Sequence, residues 1–388
     1  MNSNENCYDS RYFYECDRWS ELKTIHTNFD ISSGLACTQI IMKNEEVRNY
    51  IFFISPSGKI YYKYRNSSNE DIWSPDTEIP DISGVSIKDI SAINYRGSIL
   101  LGYRSNNGMI YQKVMLPDGT WSSTTVMRDE NGNPIFSGVA PSFAIRPYYT
   151  ADLRDISIIH MAYTDPQTKS IQIRYFDELS GRWLTGVYLS PDEGQLIDIW
   201  IKEKGENRYF KTVDKIGFSW RPDSSIRKYG GRFYMLYTDA SGTNLNFQYL
   251  RYSFMSYDVE SNSWKFFANG TIRGRDYDIL SKRGVDMIYF NGNGLDNVSA
   301  VYIDNWGGES GTKYVGFIPY ADGIVNMNIK DFNDWEVINK GVCISLHRPI
   351  DGADDSCSYC GSDIYYCYGI ENCCRPLPPP PLEVKEEW

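Results

Sequence analysis

One local pattern recurs along the chain. A Tyr-rich run alternates polar and apolar residues, a polar turn follows, and a Trp then opens a second short run. Residues 60–79 (IYYKYRNSSNEDIWSPDTEI) and 171–189 (IQIRYFDELSGRWLTGVYL) carry it in full. Residues 11–25 (RYFYECDRWSELKTI) carry only its second half, right at the start of the chain. Period-two alternation followed by turn residues marks a β-hairpin. A half-unit at the front needs a partner strand, and the other end of the chain offers one in DIYYCYG, residues 363–369.

The Trp markers fall at Trp19, Trp73, Trp121, Trp183, Trp264 and Trp335, spaced 48 to 81 residues apart. Counted from Trp335 through the chain ends to Trp19, the gap is 72 residues, inside that range. Such spacing predicts an all-β propeller of four-stranded blades, closed where N-terminal strands pair with C-terminal ones. Six blades fit better than five. Five are expected at about residues 29–80, 81–127, 136–190, 216–270 and 285–339. The sixth starts at CISLHRP (343–349), continues through DIYYCYG and ends at the N-terminus. Residues 128–134 read as a connection, and 191–215 as an insertion holding a hairpin around Gly205 and Asn207. Residues 1–376 then form one domain. Residues 377–388 are a Pro-rich arm that cannot join a sheet and could serve assembly. Three trios, Ile145–Arg146–Pro147, Trp220–Arg221–Pro222 and His347–Arg348–Pro349, mark one shared position, the end of an innermost strand, where Pro stops pairing. Their arginines are expected at the rim of the central channel.

Composition narrows the partners. A net charge of −11 argues against nucleic acid, which calls for a basic surface. No run of 18 apolar residues predicts a membrane span. The first residues lack the basic and apolar regions of a signal peptide. Yet eight of the nine cysteines lie in the expected closing blade: Cys7, Cys16, Cys343, Cys357, Cys360, Cys367, Cys373 and Cys374, with Cys37 apart. Disulfides at that seam would place the protein in an oxidising compartment, extracellular or on a particle surface. Eight cysteines allow 105 pairings, so connectivity stays open. A zinc site on Cys357, Cys360, Cys373 and Cys374 is the weaker reading, since a second CxxC is missing. Asn66, Asn269 and Asn297 head glycosylation sequons.

Catalytic signals are sparse. No GxSxG elbow, phosphate-binding loop or EF-hand occurs, and the three His (His26, His160, His347) are scattered. No cofactor is expected, although Asp351, Asp354 and Asp355 could hold calcium. A propeller glycosidase would use acids near the channel, for which Asp89, Asp155, Asp214 and Asp286 are candidates. The segment PDGTW (117–121) reads as an ordinary hairpin turn.

NNGMIYQKVMLPDGTW and PSGKIYYKYRNSSNEDIW resemble the blades of six-bladed fungal and bacterial lectins of the fucose-binding type. That resemblance implies sugar pockets between blades, each using an Arg, a third-strand Glu and aromatic rings. Arg48, Arg96, Arg154 and Arg232 stand just before or within second strands, where such an Arg would lie. At the place of the Glu the chain carries Tyr62, Gln112 and Ile173. A polar ligand site on the channel face would instead use Arg146, Arg221 and Arg348. The expectation is therefore a non-catalytic, surface-exposed, lectin-like protein that binds glycans or another surface protein. An assembly subunit of an extracellular or viral particle and a propeller glycosidase stand as alternatives.

Overall fold

The computed structural model describes residues 6–14, 18–19, 23–27, 33–66, 72–82, 85–146, 157–186, 210–222, 231–240, 249–258, 263–272, 281–292, 295–304, 311–320, 323–331, 342–347 and 363–369. These form six antiparallel sheets. Blade one is β4 (Ser33–Ile41), β5 (Val47–Ile54), β6 (Ile60–Asn66) and β7 (Thr77–Glu78). Blade two is β8 (Ile87–Tyr95), β9 (Ser98–Ser105), β10 (Ile110–Met115) and β11 (Thr125–Val126). Blade three is β12 (Ser142–Arg146), β13 (Ile158–Thr164), β14 (Ile171–Asp177) and β15 (Arg182–Thr185). Blade four is β16 (Gly217–Pro222), β17 (Gly231–Thr238), β18 (Leu250–Asp258) and β19 (Ser263–Thr271). Blade five is β20 (Ser281–Gly292), β21 (Leu295–Asp304), β22 (Gly311–Tyr320) and β23 (Gly323–Asp331).

The sixth sheet joins the two ends of the chain. It takes β24 (Val342–His347) and β25 (Asp363–Gly369) from the C-terminal side, and β1 (Asn6–Tyr14), β2 (Arg18–Trp19) and β3 (Lys23–Thr27) from the N-terminal side. β1 pairs with β25 in the register Arg11↔Tyr366 and Tyr12↔Tyr365, and its other edge pairs with β2 and β3. The six innermost strands touch in the cyclic order β4, β8, β12, β16, β20, β24 and back to β4. The ring is closed, with six blades rather than five.

Burial follows position within a blade. Second strands lie between two neighbouring blades and are buried on both faces: β13 is buried throughout, and β9 at every residue but its first. That is why IIHMAYT and ILLGYRS read as nearly continuous apolar runs. Third strands lie further out and alternate, as in β14. The β8–β9 hairpin turns on Arg96 (φ 51°) and Gly97 (φ 73°), the two left-handed residues that a type I′ turn demands.

The expected limits enclose all the strands of blades one to three, match blade four to one residue, and start blade five four residues late. The trios end β12, β16 and β24, the innermost strands of blades three, four and six. The expected insertion needs a correction at its end. Phe210 is buried against Tyr237, and Lys211 bridges to Ser170, so residues 210–215 are part of the packing between blades three and four. The hairpin around Gly205 and Asn207 lies outside the described residues, as does the Pro-rich arm.

Candidate functional site

The markers do more than punctuate. Trp183 in β15 reaches back across the seam to blade two, where its Nε1 donates to Gln112 Oε1 in β10 at 3.2 Å. Trp121, just before β11, reaches back to blade one and packs 6.0 Å from Tyr62 in β6. Each Trp therefore meets the third-strand residue of the preceding blade, the position where the lectin resemblance places a sugar-binding Glu.

At the seam between blades two and three this leaves a niche of about 170 Å3. Tyr95, Leu100, Gln112, Val114, Ile159, Phe176 and Trp183 line it, and its walls are almost wholly apolar. Trp183 is 1% exposed, stacked 6.0 Å from Phe143 and tilted against Phe176 at 5.3 Å. Because indole N–H can only donate, the Gln112 amide must present its oxygen to Trp183, which leaves its NH2 as a donor for a guest. Beside Tyr95 the two blades are clasped together. Arg96 forms an ion pair with Glu178 at 2.6 Å, donates to the Ser157 carbonyl at 3.1 Å, and lies 5.1 Å from the Tyr95 ring centroid. The Tyr95 hydroxyl sits 2.9 Å from the Ser157 carbonyl and 2.7 Å from Glu178.

The seam between blades one and two is filled instead. Tyr50, Tyr62 and Tyr64 pack with ring centroids 5.4 to 5.8 Å apart, and Trp121 meets Phe52 edge-on. Burial pushes the Tyr50 phenol up to about 12. Arg48 pairs with Glu46 at 2.6 Å and covers Tyr64 at 4.4 Å. At the third seam, Ile173 is part of the core with Phe218, Trp220 and Phe233, so nothing polar stands at the reading position. His160 is fully buried there, edge-on to Phe233 at 4.7 Å. Burial, and then the charge of Arg146, hold it well below the ordinary histidine range.

The expected residues therefore separate. Arg96 and Gln112 come together at one seam, Arg48 and Tyr62 at another. Arg96 occupies the turn before β9, and Arg232 is half-buried in β17. Arg146 is a correction: it is 2% exposed, its guanidinium 5.2 Å from the Trp220 ring centroid, so it packs between blades three and four and not at the channel rim. Arg221 lies in β16 opposite Arg232. Arg154, Arg348, Asp155, Asp351, Asp354 and Asp355 lie outside the described residues, as do Cys16, Cys357, Cys360, Cys373 and Cys374.

The central cavity, about 380 Å3, is lined by inner-strand residues including Thr38, Asn94, Ser142 and Asp286, and by Lys215 just before β16. Two acids considered for catalysis have cationic partners: Asp286 with Lys215 at 3.2 Å, and Asp89 with Arg104. Of the sequon residues, Asn66 already donates its amide to Glu46, while Asn269 and Asn297 lie inside the β18–β19 and β20–β21 ladders.

Sequence reasoning treated the Trp residues as markers and did not count Trp183, Tyr95, Phe176 and Glu178 as wall and clasp. The recurrence of Trp just after the third strand was the available signal for the first. The contact of Glu178 with Arg96 joins two turns from different blades and left no local trace.

No family model matches the chain, and no curated protein is similar to it in sequence. Solved structures are similar in fold. A triple Arg-to-Ala mutant of AofleA from Arthrobotrys oligospora aligns over 87% of this chain and 80% of its own, with 11% identity and a TM-score of 0.53. The fucose-specific lectin from Aleuria aurantia aligns over 82% of this chain and 86% of its own, with 13% identity and a TM-score of 0.51. A second structure of an Aleuria aurantia lectin, described as a six-bladed β-propeller, gives 12% identity and the same TM-score. At such identities the likeness is one of fold: the chain is a six-bladed β-propeller with the architecture that these lectins share.

Proposed function

We propose that the chain is a non-catalytic glycan-binding protein, and that the niche between blades two and three receives a terminal sugar. The observation that carries this reading is the Trp183–Gln112 pair at the wall of an apolar niche also lined by Tyr95, whose hydroxyl meets the Glu178 carboxylate that pairs with Arg96. Aromatic faces suit sugar C–H groups, while an amide donor, a guanidinium and a carboxylate suit sugar hydroxyls. Fold neighbours described as fucose-specific make α-L-fucosides the first ligands to try. Binding at a cell or particle surface, in an oxidising compartment, accords with the cysteine-rich closing blade.

The test is a glycan array followed by calorimetry on the full chain. The expected result is saturable binding to fucosylated glycans, lost in Trp183→Ala and unchanged in Trp121→Ala. Release of free sugar from an activated glycoside would overturn the non-catalytic reading. Saturable binding that survives Gln112→Tyr would move the site elsewhere on the ring.

A further inference from the structure

Closing a ring by pairing its two chain ends leaves one sheet held together across a chain break. The register of that sheet bears on how it is fastened. In the β24–β25 ladder, Cys343 stands directly opposite Cys367. Directly opposed residues in an antiparallel pair have Cα atoms about 4.5 to 5.5 Å apart and share one face of the sheet. A disulfide accepts Cα separations of about 4.4 to 6.8 Å, so either ladder position is compatible with one. Within the described ladders Cys7 faces no cysteine. That residue stands opposite His26 on β3, and the β1–β25 ladder begins only at Tyr8.

We infer that Cys343 and Cys367 form a cross-strand disulfide in the closing blade. The bond forms by thiol–disulfide exchange with a low-molecular-weight disulfide such as oxidised glutathione. One thiolate attacks the external disulfide and releases one small thiol. The second protein thiolate then displaces the other, closing the S–S bond and leaving two reduced small thiols. The consequence reaches the whole ring. β25 is flanked by β24 on one side and β1 on the other. Pinning β25 to β24 fixes the register of the strand that receives β1, and a one-residue slip would turn every β25 side chain to the wrong face. The bridge thus prepares the docking edge, while the seam itself is closed by ladder hydrogen bonds.

The test uses the full chain equilibrated in glutathione buffer, quenched with iodoacetamide and digested with chymotrypsin. Trypsin is unsuitable, because the only Lys or Arg between the two cysteines, Arg348, precedes a proline. Mass spectrometry should find the fragments carrying Cys343 and Cys367 joined, and separated on reduction. Either cysteine alkylated, or joined to another partner, overturns the inference. Thermal unfolding gives a second readout. Under oxidising conditions Cys343→Ser and Cys367→Ser should lower Tm equally, and the double variant should lower it no further. Additive losses would mean that the two cysteines serve different bonds.

Discussion

The seam between blades one and two and the seam between blades two and three share one plan and differ in outcome. In both, a Trp from the later blade meets a third-strand residue of the earlier one. Where that residue is Tyr62, the aromatic rings of β5 and β6 fill the gap and Arg48 is drawn down onto Tyr64. Where it is Gln112, the side chain bonds to the Trp and leaves space in front of it. The repeated scaffold therefore does not fix the number of open niches. The residue at one third-strand position decides whether a seam is packing or pocket.

The largest test of this contrast is truncation of the two tryptophans. Trp183 is fully buried between Phe143 and Phe176, whereas Trp121 is half-buried. Trp183→Ala should cost about 3 to 5 kcal/mol, as large-to-small changes in cores do, and abolish glycan binding. Trp121→Ala should cost clearly less and leave binding intact. Urea unfolding of both variants checks this, and equal losses would erase the distinction between the seams. The reciprocal exchange comes next. Gln112→Tyr should weaken glycan binding at least about tenfold, or about 1.4 kcal/mol, with little change in stability. Tyr62→Gln should open a second niche and raise the number of sugars bound per chain. Calorimetry reads both.

How much of this was legible in the sequence depended on distance along the chain. The hairpins, the innermost-strand trios and the pairing of β1 with β25 all followed from short-range alternation plus the half-unit at the start. The six-fold ring needed only the Trp spacing in addition. Site assembly was less legible, because each pocket is built from two blades. Gln112 and Trp183 are 71 positions apart. Arg146 was placed at the rim because a trio reveals where a strand ends but not which way its last side chain turns. The clasp of Glu178 on Arg96 depends on the twist between neighbouring sheets, which no residue pattern encodes.

Lys113 sharpens the comparison from the sealed side. It lies in β10, 1% exposed, and its ammonium has no hydrogen-bond partner among the described residues. Burial lowers its pKa, with Asp81 acting weakly in the opposite direction. The folded-state value therefore lies below the unfolded one. Between the two, the unfolded chain binds more protons, so stability rises with pH through that window. Below it the deficit is fully present. Lys113→Met should then raise stability by about 1 kcal/mol near pH 7, with the gain shrinking toward pH 10. Above pH 10 the slope reverses, because Tyr50 and Tyr103, both pushed up to about 12 by burial, keep their protons only when folded. The difference in Tm between the wild type and Lys113→Met, followed from pH 7 to 10, isolates the lysine. A loss of stability at pH 7 would mean that the ammonium is satisfied in place.

The smallest expected effect concerns the clasp at the open seam. Arg96 and Glu178 are 38% and 48% exposed, so solvent screens their attraction and the pair contributes less than about 1 kcal/mol to folding. Glu178→Gln should leave urea unfolding nearly unchanged while altering sugar affinity about twofold and reducing its dependence on salt. The matching pair at the sealed seam is more enclosed, at 21% and 28%, and Glu46 also accepts from Asn66. Glu46→Gln should therefore cost more stability than Glu178→Gln and leave binding alone. If the order of the two stability losses is reversed, the Arg96–Glu178 pair is structural, and the niche beside it is held shut by the same clasp that was taken to serve its ligand.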